Sequence, residues 1–199
     1  EDFKKLDTNE DKELDKTEIT DEYIKNKLKS ALRNAEMTNL NYGVGDIPKS
    51  AVYIHKDKDV IILNEPNEVI ISLKGTETIG EYLSNIKYKL KDFQGGKVHS
   101  GFLDGFNAMY PKIKENIEKI GTDKPYTITG YSRGSAIALI LLRQLQVDYP
   151  NIKYKDIDLF AAPRAVNNEI AEFLKDLPII RYSVKNDPVI DVFKKPYTH

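Results

Sequence analysis

Gly130-Tyr131-Ser132-Arg133-Gly134 sets a serine between two glycines in the pattern G-x-S-x-G. The β-branched and aromatic run Tyr126-Thr127-Ile128-Thr129 precedes it, and Ile137, Leu139, Ile140, Leu141, Leu142 and Leu145 follow it as an apolar helical run. Strand, sharp turn and helix in that order hold a serine in a strained backbone conformation. Its hydroxyl then stands clear of the sheet, at the positive end of the helix. The glycines suit the turn because side chains there would collide across the strand–helix crossing. A serine hydroxyl attacks poorly until a base takes its proton, and that base must be oriented by an acid. The chain has no cysteine, which excludes disulfides, thiolate catalysis and cysteine-based zinc sites. Histidine chemistry must come from His55, His99 or His199.

A second set of residues suits a different chemistry. Asp7-Thr8-Asn9-Glu10-Asp11-Lys12-Glu13-Leu14-Asp15-Lys16-Thr17-Glu18 fits the EF-hand loop pattern, with oxygen-bearing side chains at alternate positions and a glutamate at its end. A hard cation wants six to eight oxygens. Asp7, Asn9, Asp11, Glu13 (through its backbone carbonyl) and Glu18 are the expected Ca2+ ligands. Lys12 stands where the pattern has glycine, and a left-handed backbone there costs a side chain roughly 1 kcal/mol. The alternative is a solvated acidic helix start.

These residues need elements to position them. Ile19, Tyr23, Ile24, Leu28, Ala31, Leu32 and Ala35 recur at helical spacing, which predicts an exit helix packed on the main body and a lysine-rich solvated face. Residues 38–50, with Gly43, Gly45 and Pro48, read as loop. Strands are predicted at 51–55, 60–63 and 69–73, the last a continuous apolar run as in a sheet buried on both faces. Ile79–Leu90 and Phe102–Ile120 have helical spacing, Ile157–Ala161 and Ile179–Val184 read as strands, and residues 168–174 as a short helix. Alternating strands and helices argue for an α/β sheet, mostly parallel, with chemistry at the carboxyl ends of its strands. Residues 1–36 form an EF-hand-like appendage in this reading, and 37–199 the main domain.

Composition narrows the partners. The chain has 199 residues and net charge −1, which gives no reason to expect nucleic acid. No apolar run is long enough to span a membrane and the first residues are not a signal peptide, so a soluble chain, secreted or cytoplasmic, is expected.

In α/β-hydrolases the chain order is serine, acid, histidine. Asp187, just past a buried strand, is the expected acid, and His199 is the only histidine after it. Either His199 is the base, or the base lies beyond the recorded end, or the chain lacks one. The backbone N–H of Arg133 and that of Thr76, after an earlier strand, are the expected oxyanion donors.

Ile71-Ser72-Leu73-Lys74-Gly75-Thr76, Lys97-Val98-His99-Ser100-Gly101-Phe102, the Ser132 motif, Phe160-Ala161-Ala162-Pro163-Arg164 and Asn186-Asp187-Pro188-Val189 occur in one order. Together, over about residues 69–192, they resemble the class 3 (fungal-type) lipase family. The resemblance implies an α/β-hydrolase fold and hydrolysis of lipid carboxylesters, triacylglycerol or phospholipid, with contact to a membrane or lipid-droplet surface. It also implies that Ile79–Leu90 is the lid and that His99 is structural. Three departures stand out. Tyr131 and Arg133 replace the usual His and Leu of the elbow, and His199 sits in a context like that of a noncatalytic family histidine. Arg133 either favours anionic substrates or pairs with a neighbouring acid. The rival from another class is a noncatalytic, calcium-dependent lipid-binding or scaffolding protein, and acyl transfer is a third possibility.

Overall fold

The β-branched runs assemble as the middle of one sheet. The computed structural model describes residues 21–55, 59–76, 89–184 and 198. The chain divides into two compact units, 1–34 and 35–199. The helix α1 (Asp21–Asn41) begins in the first and ends in the second.

In the second unit, strands β1 (Ala51–Ile54), β2 (Val60–Asn64) and β3 (Val69–Leu73) form an antiparallel meander. A hairpin follows, made of β4 (Leu90–Phe93) and β5 (Gly96–His99). Then come helix α2 (Ser100–Ile120), β6 (Tyr126–Tyr131), α3 (Arg133–Asp148), β7 (Tyr154–Phe160), α4 (Asn168–Leu174) and β8 (Ile179–Tyr182). The main sheet runs β1-β2-β3-β6-β7-β8, and its β3, β6, β7 and β8 are parallel. All of β3 and the first five residues of β6 are buried, as a sheet covered on both faces requires.

On one face, Phe102, Phe106, Met109, Ile113 and Ile117 of α2 and Ile137, Ile140, Leu141 and Leu145 of α3 share a core with the strands. On the other, Ile61, Leu63 and Ile70 pack with Leu40 at the end of α1. Each fully buried aliphatic side chain contributes about 1.5–3 kcal/mol over an exposed one, so this two-sided core holds the strands in register.

Three expectations change. Residues 38–41 are helix rather than loop. Ser72 Oγ donates to Asn41 Oδ1 at 2.5 Å and reaches the Met37 carbonyl at 3.2 Å, and the Asn41 amide reaches the Ser72 carbonyl at 3.4 Å. A contact with β3 thus extends the helix past the point where local propensity favours stopping. Leu90, expected at the end of a helix, is the first residue of β4; residues 79–88 of the expected lid lie outside the described residues. The hairpin itself turns through Gln94 at φ 42° and Gly95 at φ 89°, the left-handed pair that matches strand twist. Finally, Ile24, Leu28 and Leu32 of α1 are exposed rather than packed, while Ala31 and Asn34 are buried.

The hairpin is fastened by Asn167. Its Oδ1 accepts from Lys97 N at 3.0 Å and caps α4 through Ile170 N at 3.3 Å. Val166 bridges Val98 on one side and Thr198 on the other.

Candidate active site

β6 delivers the chain to Ser132, and α3 carries it away. Ser132 has φ 50° and ψ −116°, a conformation that glycine tolerates and other residues hold only under strain. Its N–H donates to Phe160 O of β7 at 2.9 Å, and its carbonyl accepts from Ala136 N at 3.2 Å. The Ser132 hydroxyl makes no capping bond to α3, although serine at that position commonly does. The residue is 3% exposed. Ser135 Oγ lies 2.6 Å from Gly130 O and 2.9 Å from Phe160 O, and ties the helix start to both strand ends.

The two glycines are required by contact rather than by backbone angle. A Cβ on Gly130 would sit 2.7 Å from Gly134 C. A Cβ on Gly134 would overlap Leu73 O and lie 2.8 Å from Lys74 O. The start of α3 therefore rests directly on the end of β3.

This contact also places the expected oxyanion loop. Leu73 pairs with Gly130 in register, so Lys74-Gly75-Thr76 leaves its strand beside the elbow. Gly75 is pinched: a Cβ there would be 2.6 Å from Tyr42 Oη and 2.7 Å from Tyr131 O. The Tyr42 and Tyr131 rings meet edge-on at 6.3 Å, and Lys74 Nζ lies 5.1 Å from the Tyr42 ring centre. Sequence reasoning missed Tyr42. Nothing in a loop-like stretch marks one tyrosine as a wall of a site formed by residues far along the chain.

Arg133, half-buried, turns onto α2. A Cβ on Gly105 would be 2.5 Å from Arg133 Nη2, so Gly105 makes room for the guanidinium.

Ala161 at the end of β7 also has positive φ, at 47°. Its N–H donates to Tyr182 O at 2.8 Å, and Phe160 stacks on Tyr182 at 4.9 Å. The carboxyl ends of β7 and β8 are thereby locked beside the elbow, and the Asp187 segment follows from the second of them. Asp187 and His199 lie outside the described residues, as do Asp7, Asn9, Asp11, Glu13 and Glu18 of the expected calcium loop. Among the described residues, no group of three or more His, Asp or Glu side chains is placed to hold a metal ion, and no helix is long and apolar enough to cross a membrane. Thr198 N donates to Val166 O at 2.9 Å, which fixes the chain one residue before His199.

His99 is fully buried, and its Nδ1 accepts from Gly101 N at 3.1 Å as the cap of α2. Burial disfavours the charged ring and lowers its pKa to about 4. The unfolded chain takes up a proton near pH 6.5 that the folded chain refuses, so stability falls as pH drops from about 6.5 to about 4 and levels off below. The loss amounts to roughly 3 kcal/mol. His99→Asn keeps a capping acceptor and removes the titration. Urea unfolding at stepped pH is expected to show the variant gaining on the wild type across that window, and parallel curves would refute the assignment.

A family model described as Lipase (class 3) matches residues 70–196. The chloroplastic phospholipase A(1) DAD1 of Arabidopsis thaliana is 27% identical over 146 residues, covering 62% of this chain and 33% of that protein. Lipase II from Rhizopus niveus superposes with a TM-score of 0.58 at 25% identity, over 67% of this chain and 55% of that one. Lip2 lipase from Yarrowia lipolytica gives 0.71 at 19% identity, over 88% and 78%. The chain thus spans about a third of the curated relative and about half of the Rhizopus niveus enzyme. The fold is that of the fungal lipases, an α/β-hydrolase with a mostly parallel sheet flanked by helices. The family model covers well over half of the sequence and spans the elbow, both neighbouring strand ends and the segment after β8, so the chain belongs to the class 3 lipase family.

Proposed function

We propose that this chain hydrolyses carboxylic esters of lipids with Ser132 as nucleophile. The observation that carries the reading is the strained backbone at Ser132, φ 50° and ψ −116°, held between β6 and α3 with its hydroxyl uncommitted to helix capping. Strain of this kind costs about 1–3 kcal/mol and persists only where surrounding structure enforces it.

In the proposed reaction Ser132 Oγ attacks the ester carbonyl as a base takes its proton. His199, oriented by Asp187, is the base of this proposal. The carbonyl oxygen becomes an oxyanion, received by the backbone N–H groups of Arg133 and Thr76. The first lies at the start of α3, where the helix dipole favours negative charge. The second follows Gly75, which the Tyr42–Tyr131 contact holds beside the elbow. The base returns its proton to the leaving alcohol, and water then releases the acid from Ser132 by the same steps in reverse.

The test is labelling with a fluorophosphonate probe followed by peptide mapping, alongside hydrolysis assays on a triacylglycerol and a phospholipid. An adduct on Ser132 and release of fatty acid are expected. No adduct on Ser132 in the full-length protein would sink the proposal.

Arg133 is a packing residue in this reading, because its guanidinium lies against Gly105. Arg133→Leu is expected to leave the ratio of kcat/KM between anionic and neutral esters within about twofold and to lower the melting temperature. A tenfold change in that ratio would return a headgroup role to the arginine.

A further inference from the structure

The outer face of α1 joins two properties that rarely coincide on a surface serving only solvation. Ile24, Leu28 and Leu32 are 43%, 56% and 67% exposed. Spaced four residues apart, they form one continuous stripe along the helix. Single exposed aliphatic residues are ordinary, whereas a contiguous row of them marks a contact surface. Around the stripe, the sequence from Tyr23 to Ala35 carries Lys25, Lys27, Lys29 and Arg33 and no Asp or Glu, in a chain whose overall net charge is −1. Lys25 and Lys29 are exposed and lie along the edge of the stripe, one position round the helix from Ile24 and Leu28.

We propose that this face of α1 docks on an anionic lipid surface, with Ile24, Leu28 and Leu32 entering the acyl boundary and Lys25 and Lys29 meeting the headgroup charges. The pattern suits a helix lying in the plane of an interface, where buried apolar area and attraction to anionic lipids add. A protein partner would need a matching acidic groove; a lipid surface needs only the stripe and its basic border. The docking does not depend on ester hydrolysis, so it stands or falls apart from the assignment of Ser132.

The experiment is co-sedimentation of the full chain with phosphatidylcholine vesicles, with and without phosphatidylglycerol. It is run in wild type and in Ser132→Ala, so that hydrolysis of the vesicles does not enter. Both are expected to bind the phosphatidylglycerol vesicles more tightly than phosphatidylcholine alone, with the preference shrinking as salt rises. Leu28→Glu and Leu32→Glu are each expected to lower the partition coefficient about tenfold or more. Lys25→Gln/Lys29→Gln is expected to erase most of the preference for the anionic vesicles while leaving the melting temperature and hydrolysis of a water-soluble short-chain ester unchanged. Equal binding by wild type and Leu28→Glu/Leu32→Glu would overturn the proposal. So would a wild type that ignores vesicles but forms dimers that Leu28→Glu dissolves, since the stripe would then serve a second copy of the chain.

Discussion

Replacing Ser132 with alanine is expected to lower kcat/KM for lipid esters by roughly 10⁴-fold or more, because the proposed mechanism carries the acyl group on Ser132. Glycine at the same position gives an equally inactive chain with a different stability. Alanine inherits the φ of 50° and the strain it imposes, while glycine reaches that conformation freely. Ser132→Gly should therefore exceed Ser132→Ala by about 1 kcal/mol in chemical denaturation, less whatever glycine loses in the flexibility of its unfolded chain. Residual hydrolysis within tenfold of wild type in either variant would remove Ser132 from the mechanism. A Ser132→Ala variant about 1 kcal/mol more stable than Ser132→Gly would show that the elbow is not strained.

Gly134→Ala is expected to destabilise the fold by at least about 3 kcal/mol. The added carbon would overlap the carbonyl oxygen of Leu73, which belongs to a fully buried strand hydrogen-bonded to β2 and β6 and has nowhere to move. Any relief must lift α3 from β3, which separates the two proposed oxyanion donors. Activity should thus fall further than the folded fraction does. Gly105→Ala is the control. It meets the end of the Arg133 side chain, which can swing away, and should cost within about 1 kcal/mol. Equal effects of the two substitutions, read from urea midpoints, would contradict the account of the crossing.

What could be read in advance divides along a physical line. β3 was legible residue for residue because Val69–Leu73 is buried on both faces, and continuous burial writes itself into a continuous apolar run. α4 was legible because Asn167 caps it locally. The elbow was legible because two close contacts demand glycine at fixed distances from the serine. The β4–β5 hairpin was not, since Leu90-Lys91-Asp92-Phe93 is half charged and short, and what holds it is Asn167, 70 residues on from Lys97. The end of α1 was misjudged because Ser72 extends it, and Tyr42 was invisible because its neighbours Gly75 and Tyr131 come from other strands' ends. The apolar stripe of α1 shows the limit of periodicity: spacing finds that one face is greasy, but not which way that face turns.

The bond from Ser132 N to Phe160 O and the seat of Gly134 on Leu73 have a bearing on how the molecule comes to be active. Neither contact is local. One comes from β7 and the other from β3, and parallel strands pair only after long loops have closed. A detached strand–turn–helix piece of this sequence would relax its serine into an ordinary turn. The backbone geometry of Ser132 therefore depends on β3 and β7 being in place beside β6.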